Sequence, residues 1–235
     1  MISIIVLLAF TCSVIFSFLY QFSSIEKVNL QYFKRRSQCD YCHTSLKWFD
    51  TIPLLSFIFL KGRSRCCSNP LKRSYIIGEI LSFLIVPYLI FIDIHINYSL
   101  FILTCLMLIT MSLTDIQTLT INSNLILIFF IVGIYISSLH LISFIFIFFL
   151  LHTFFLLNSK SIGYGDILLL SILSIFYTYE FMLHLILLTC AIGLMFYIIM
   201  FRFKIRKIPL IPFISISYIL LINFSNNIMQ LIKKR

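Results

Sequence analysis

The sequence predicts an all-α polytopic membrane protein of about eight transmembrane helices, interrupted once by a sizeable polar loop. Three observations carry this. Of the 235 residues, 61% are hydrophobic and only 11% are charged, a balance that no soluble domain sustains. Apolar stretches long enough to span a bilayer recur along the chain, separated by short polar breaks. Ten of the 18 Lys and Arg fall between residues 23 and 74, with only Glu26, Asp40 and Asp50 against them. Such clustering marks a cytoplasmic loop by the positive-inside rule. Orientation and attraction to anionic lipid then account for the net charge of +10, with no nucleic-acid partner required.

The first apolar stretch, Ile2 to Phe22, is long enough to span and has no basic residue before it, so it reads as a retained helix rather than a cleaved signal. Residues 1–22 are thus a first transmembrane helix, 23–74 a basic cysteine-containing loop, and 75–235 a membrane domain. Span two, Tyr75 to Ile92, holds Glu79 near its cytoplasmic end and Pro87 as a kink. Asp93 to Asn97 makes a short outer turn. Span three, Tyr98 to Thr114, delivers Asp115 to the inner face. A polar linker, Gln117 to Asn124, follows; span four ends near Ser138, and span five, Leu141 to Leu157, returns inside. Span six begins at Asp166, ends near Tyr179-Glu180 and is short. Span seven, Phe181 to Phe201, leads to a second basic stretch, Arg202 to Lys207. Span eight, Ile208 to Phe224, leaves Lys233-Lys234-Arg235 outside, against the charge rule. No internal repeat is evident.

The chemistry-bearing residues are few. Gly163-Tyr164-Gly165-Asp166 places a carboxylate at the mouth of an apolar helix, where ionisable groups are expensive and usually functional. The two glycines remove side chains and permit a close approach by another backbone or an extended substrate. Asp115 is placed similarly at the end of an earlier span. Singly, each aspartate is a solvated boundary marker; together they allow an aspartyl dyad, one carboxyl acting as base on a water and the other as acid. In the loop, Cys39-Asp40-Tyr41-Cys42 is a C-x-x-C knuckle, and Cys66-Cys67 supplies two more thiols, with His43 a spare donor. Thiols kept reduced in a cytoplasmic loop favour a metal over disulfides, here a structural zinc. Packing of Trp48, Phe49 and Pro53 against the membrane is the alternative that needs no metal. Glu79, beside Gly78, faces either a polar cavity or the helix boundary. Cys12, Cys105 and Cys190 read as small hydrophobes, and His95, His140, His152 and His184 as non-catalytic.

These residues carry a resemblance. The sequence resembles the type IV prepilin leader peptidases, the bifunctional prepilin peptidase/N-methyltransferases, in the form found in Gram-positive competence systems. Cys39 to Cys42 followed by Trp48-Phe49-Asp50-Thr51-Ile52-Pro53-Leu54-Leu55-Ser56 is similar to the family's knuckle and its W-x-D-x-I-P-x-x-S segment. Cys66-Cys67, Arg73, Tyr75 and Glu79 resemble the second knuckle and its continuation. Thr114-Asp115 through Asn122, then Gly163 to Asp166, resemble the two aspartate segments, the second being the family's G-x-G-D. Ile208-Pro209-Leu210-Ile211-Pro212-Phe213 is similar to its closing I-P-x-x-P-F span. The resemblance implies that Asp115 and Asp166 are the peptidase dyad. It also implies a pilin-like precursor as substrate, its basic leader cut at the cytoplasmic face of the cell membrane. Many members also methylate the new N-terminus from S-adenosylmethionine, a step associated with the loop and Glu79.

Four positions depart from the family pattern. Ser64 stands where the third knuckle cysteine is usual, with Cys66 out of register as its substitute. Asn122 stands for an aspartate, preceded by Ile121 rather than proline, and Ile76 stands for a proline. None touches the dyad; all bear on zinc and methylation, so a peptidase that cleaves without methylating is one alternative. A non-enzymatic scaffold for pilus or secretion assembly is another. A cation-coupled transporter is disfavoured, because the carboxylates lie at span ends and repeat symmetry is missing.

Overall fold

The computed structural model describes residues 2–25, 36–92, 97–158, 162–200 and 208–233. The outer turn at Asp93 to Ile96 with His95, the basic stretch Arg202 to Lys207, and Lys234-Arg235 lie outside the described residues, as do residues 26–35 of the loop. Among the described residues all regular structure is helical, apart from two isolated β-bridges.

The chain divides into two compact units, residues 1–88 and 89–235. In the first, α1 (Ile2–Ser23) and α3 (Arg73–Phe91) bracket the polar loop, which contains a 3-10 turn (Trp48–Thr51) and a short α2 (Leu55–Phe59). Gly78 of α3 lets the Phe16 ring of α1 lie against the helix backbone, a place that any Cβ would fill. Tyr20 adds an edge-on ring contact to Tyr75, with centroids 4.9 Å apart, and a 2.8 Å hydrogen bond to Ser74. Pro87 sits inside α3 as expected.

The second unit contains α4 (Tyr98–Thr118), α5 (Ser123–Ile136), α6 (Leu141–Leu157), α7 (Tyr164–Phe176), α8 (Tyr179–Met200) and α9 (Ile211–Lys233). α4 packs on α5 and α9, α7 on α5 and α6, and α9 on α8. α4 is the most enclosed of the long helices, with Phe101, Met107, Leu108 and Met111 wholly buried. Polar side chains join it to its neighbours. The Tyr218 hydroxyl lies 2.7 Å from that of Tyr177, which lies 2.9 Å from Thr104 Oγ1, and Thr104 donates to the Leu100 carbonyl. Each hydroxyl is thereby satisfied in a place where water cannot serve.

Among the described residues, apolar helices stand where the hydropathy places them. Four of these are long and apolar enough to cross a membrane: Ile2–Ser23, Arg73–Phe91, Tyr98–Thr118 and Tyr179–Ile199. Ser123–Ile136, Leu141–Leu157 and Tyr164–Phe176 are shorter, as is the apolar part of α9, Ile211–Phe224. α7 is the expected short one at 13 residues, and it stops at Phe176 rather than Tyr179 because Tyr177 takes an extended conformation and turns inward to its hydroxyl partners. α4 runs to Thr118, four residues beyond its expected end, closed by Leu119 in the left-handed region. Asp115 therefore lies within the last turn of a helix rather than beyond its end.

Candidate active site and cysteine cluster

Asp115 is buried, at 5% exposure, against the start of α9. Its Oδ2 accepts the Ile211 N–H at 3.2 Å, with the Leu210 N–H as a second backbone donor. Those donors are free because the first turn of a helix leaves its amides without intrahelical partners. Ile211 and Leu210 come from the closing Ile208 to Phe213 segment, whose resemblance to a family motif names the stretch but assigns it no role. Nearby, Ser112 Oγ meets Ser215 Oγ at 3.3 Å across the same seam.

Asp166 occupies the first turn of α7, with its N–H on the Gly163 carbonyl at 3.1 Å. Its Oδ1 is buried and has no hydrogen-bond partner among the described residues. The two carboxyl groups, 51 residues apart in sequence (166 minus 115), interact electrostatically. The glycines have separate reasons. A Cβ on Gly165 would stand 2.9 Å from Ile121 Cδ1 and 3.1 Å from Ile121 Cβ. A Cβ on Gly163 would meet the Asp166 Oδ2 at 3.0 Å. The close approach at Gly165 is thus made by the loop that follows the Asp115 helix, which brings the two aspartate segments together. In that loop Asn122 caps α5, its Oδ1 accepting the Asn124 N–H at 2.9 Å. Asn is as good a cap as Asp, so the departure at this position leaves the local fold intact.

In the first unit the loop folds around its thiols. The Sγ atoms of Cys39, Cys42, Cys66 and Cys67 all lie within 4.8 Å of one another. Cys42 and Cys66 are 3.1 Å apart, and Cys39 and Cys67 3.7 Å. Tetrahedral zinc with Zn–S bonds of about 2.3 Å needs sulfurs about 3.8 Å apart, and the cluster fits that requirement. His43 is exposed, with backbone φ of 55°, and lies outside the cluster. The Thr44 hydroxyl, 3.0 Å from Cys42 Sγ, holds that thiol down at about 6, and the Ser64 hydroxyl lowers Cys67 similarly. These two shifts favour the thiolate, the form that ligates a metal, whereas Cys66, facing the Cys42 and Cys67 sulfurs, is pushed up to about 11.

Glu79 is buried at 8% exposure, and both its oxygens are engaged: Oε1 by the Ser17 hydroxyl at 2.8 Å, Oε2 by the Leu54 N–H at 2.7 Å. Leu54 has φ of 62°, and the Leu55 N–H reaches back to the Pro53 carbonyl at 2.6 Å. This is a γ-turn of the rare, strained hand, and the Glu79 carboxylate holds its central amide. Glu79 also lines a cavity of about 330 Å³, with Ser17, Gln21, Tyr41, Asp50 and Tyr75 among its walls. The sequence placed Glu79 by a cavity or at a boundary; the cavity is what is found. The strained turn left no signal, because Leu54 is not a residue that favours positive φ. The His152 and His184 Nδ1 atoms lie 2.9 Å and 2.7 Å from helix carbonyls four residues earlier; Cys12 and Cys105 are buried, and Cys190 is exposed on its helix.

Fold and site together define a helical membrane protein with a four-cysteine knuckle in one unit and two interacting aspartates in the other. Residues 10–111 match the bacterial peptidase A24 N-terminal domain, and residues 102–198 match the type IV leader peptidase family. The chain belongs to the type IV leader peptidase family. It is 50% identical over 44 residues to a prepilin leader peptidase/N-methyltransferase of Klebsiella pneumoniae, covering 19% of each chain. A protein of the same description from Vibrio cholerae is 41% identical over 56 residues, 24% of this chain and 22% of the relative. The chain thus aligns with about a fifth of the length of these relatives. No solved structure matches.

Proposed function

We propose that this chain is a multi-pass aspartyl endopeptidase of the cytoplasmic membrane that removes the basic leader from pilin-like precursors, competence pseudopilins included. The observation that carries the reading is that Asp115 and Asp166 influence each other electrostatically, with Ile121 of the loop after the Asp115 helix seated on Gly165 beside Asp166. In this mechanism one carboxylate takes a proton from the attacking water while the other carboxyl donates to the scissile carbonyl oxygen. Two backbone amides fix Asp115, whereas Asp166 Oδ1 has no partner of its own and is available to substrate or water. An extended leader reaches the pair where Gly163 leaves its backbone uncovered. The clustering of Lys and Arg in the loop supports a cytoplasmic side for this chemistry by the charge rule.

Cys39, Cys42, Cys66 and Cys67 hold one zinc, which cross-links the loop rather than reacting. The relatives' description pairs leader cleavage with N-methyl transfer, and the cavity beside Glu79 has the size and mixed walls of a small-molecule site. S-adenosylmethionine would supply the methyl group there; Tyr41, Tyr75 and Glu79 are the lining residues that would hold it, beside Asp50, which is paired with Arg65. The test is leader cleavage of a co-expressed pilin-like precursor by wild type and Asp166→Asn, with the product N-terminus read by mass spectrometry. Cleavage lost in the variant supports the dyad, and a product 14 mass units heavier marks methylation. Equal cleavage by both removes Asp166 from the reaction and favours the scaffold reading.

A further inference from the structure

The cysteine loop is built from two copies of one turn. Gln38 bridges Ser45, and Arg63 bridges Pro70, a shift of 25 residues at both ends (63 minus 38, 70 minus 45). The hydrogen bonds repeat at the same shift. Cys39 N–H donates to Thr44 O at 3.0 Å, as Ser64 N–H does to Asn69 O at 2.8 Å. His43 N–H returns to Cys39 O at 3.0 Å, as Ser68 N–H does to Ser64 O at 2.9 Å. Leu46 N–H reaches Ser37 O, and Leu71 N–H reaches Gly62 O, both at 2.8 Å. Even the left-handed residues correspond, His43 at φ 55° and Ser68 at φ 57°. The sequence conceals this repeat because one copy reads Cys-Asp-Tyr-Cys and the other Ser-Arg-Cys-Cys.

In this register Cys42 corresponds to Cys67, and Cys39 corresponds to Ser64, with equal burial of 5% at the latter pair. Cys66 corresponds to Tyr41, which is not a ligand position. Side chains at that position reach across to the opposite turn: the Tyr41 hydroxyl donates to Pro70 O at 3.0 Å, and Cys66 Sγ lies 3.1 Å from Cys42 Sγ. Ser64 keeps its inward place, with Oγ 3.0 Å from Cys67 Sγ.

We propose that the second turn has exchanged its ligand, so that the metal takes its fourth sulfur from Cys66 across the gap while Ser64 serves as a hydrogen-bonding support to Cys67. This rests on the zinc reading above and is independent of the dyad. The exchange moves one ligand from a buried position to an exposed one, so the metal is open to chelators on the Cys42–Cys66 side. It is also reversible: a cysteine at position 64 makes Cys66 dispensable.

The experiment compares full-length wild type, Cys66→Ser, Ser64→Cys/Cys66→Ser and, as a control outside the cluster, Cys190→Ser, each purified in detergent and loaded with zinc or cobalt. Zinc content, zinc release to a chelator and the intensity of the cobalt–thiolate absorption are measured, with circular dichroism to verify helix content. Wild type and Cys190→Ser should hold one metal with four-thiolate intensity. Cys66→Ser should fall to three-thiolate intensity and release zinc at least ten-fold faster. The double variant should recover four-thiolate intensity and release zinc more slowly than wild type. Retention of wild-type intensity by Cys66→Ser overturns the proposal, as does a double variant no better than Cys66→Ser. Wild type that takes up no zinc or cobalt yet still cleaves its precursor overturns the metal reading with it and leaves the peptidase reading standing.

Discussion

The Ile211 N–H donates to Asp115 Oδ2 across 3.2 Å, tying the first aspartate to the N-terminus of the last helix. An amide side chain at position 115 retains an acceptor for that donor but cannot exchange the proton. Asp115→Asn should therefore leave thermal unfolding in detergent near that of wild type while reducing leader cleavage by about 10²–10⁴-fold, the range for loss of a general acid or base. Unreduced cleavage by that variant would take Asp115 out of the reaction.

Gly165 is the seat for Ile121. Gly165→Ala forces Ile121 aside and should weaken the contact by about 1–3 kcal/mol, the usual range for overpacking, with a matching fall in cleavage. Adding Ile121→Ala restores the room, so the double variant should recover activity relative to Gly165→Ala alone. If the two substitutions are simply additive, the contact does not bring the aspartates together.

Glu79 holds a strained turn. Glu79→Ala removes the acceptor of the half-buried Leu54 N–H, which costs at most about 1–3 kcal/mol. Protease resistance of the loop should fall accordingly, and Glu79→Gln should lose less. Leu54→Gly tests the strain separately: glycine accepts φ of 62° readily, so its loss of side-chain packing should be largely offset. A Leu54→Gly loop as labile as Glu79→Ala would argue against strain at this position.

The cysteine cluster should respond to pH through Cys42. In metal-free protein, alkylation of Cys42 follows its thiolate fraction. It should be half-maximal near pH 6, fall away below, and move upward in Thr44→Val, where the hydroxyl is gone. Because the ligands must be deprotonated, zinc retention should fall as the pH is lowered, and Thr44→Val should lose zinc at a higher pH than wild type. Unchanged alkylation in Thr44→Val would assign the shift to another cause.

Much of this was legible in the sequence, because hydropathy writes membrane helices directly. Eight apolar runs gave eight apolar helices, and the four sulfurs meet as their spacing allowed. What stayed hidden has physical reasons. The anchor for Asp115 is a backbone amide, and backbone amides have no letter in the sequence. The occupant of the space at Gly165 is Ile121, an aliphatic residue like dozens of others in this chain. The turn at Leu54 adopts a conformation its residue type does not favour, and tertiary hydrogen bonding imposes it. The second knuckle was legible with Ser64 in place of a cysteine, but the backbone repeat that relates the two turns was not, because they share hydrogen bonds rather than side chains.

The bond from Ile211 to Asp115 joins residues 96 positions apart, and this bears on timing during synthesis. A growing chain emerges from the ribosome with Asp115 and Asp166 already made while the donor helix is still unwritten. Until Leu210 and Ile211 arrive, the first aspartate lacks its two backbone donors. The seat of Asp115 is therefore completed only when the last helix has been made.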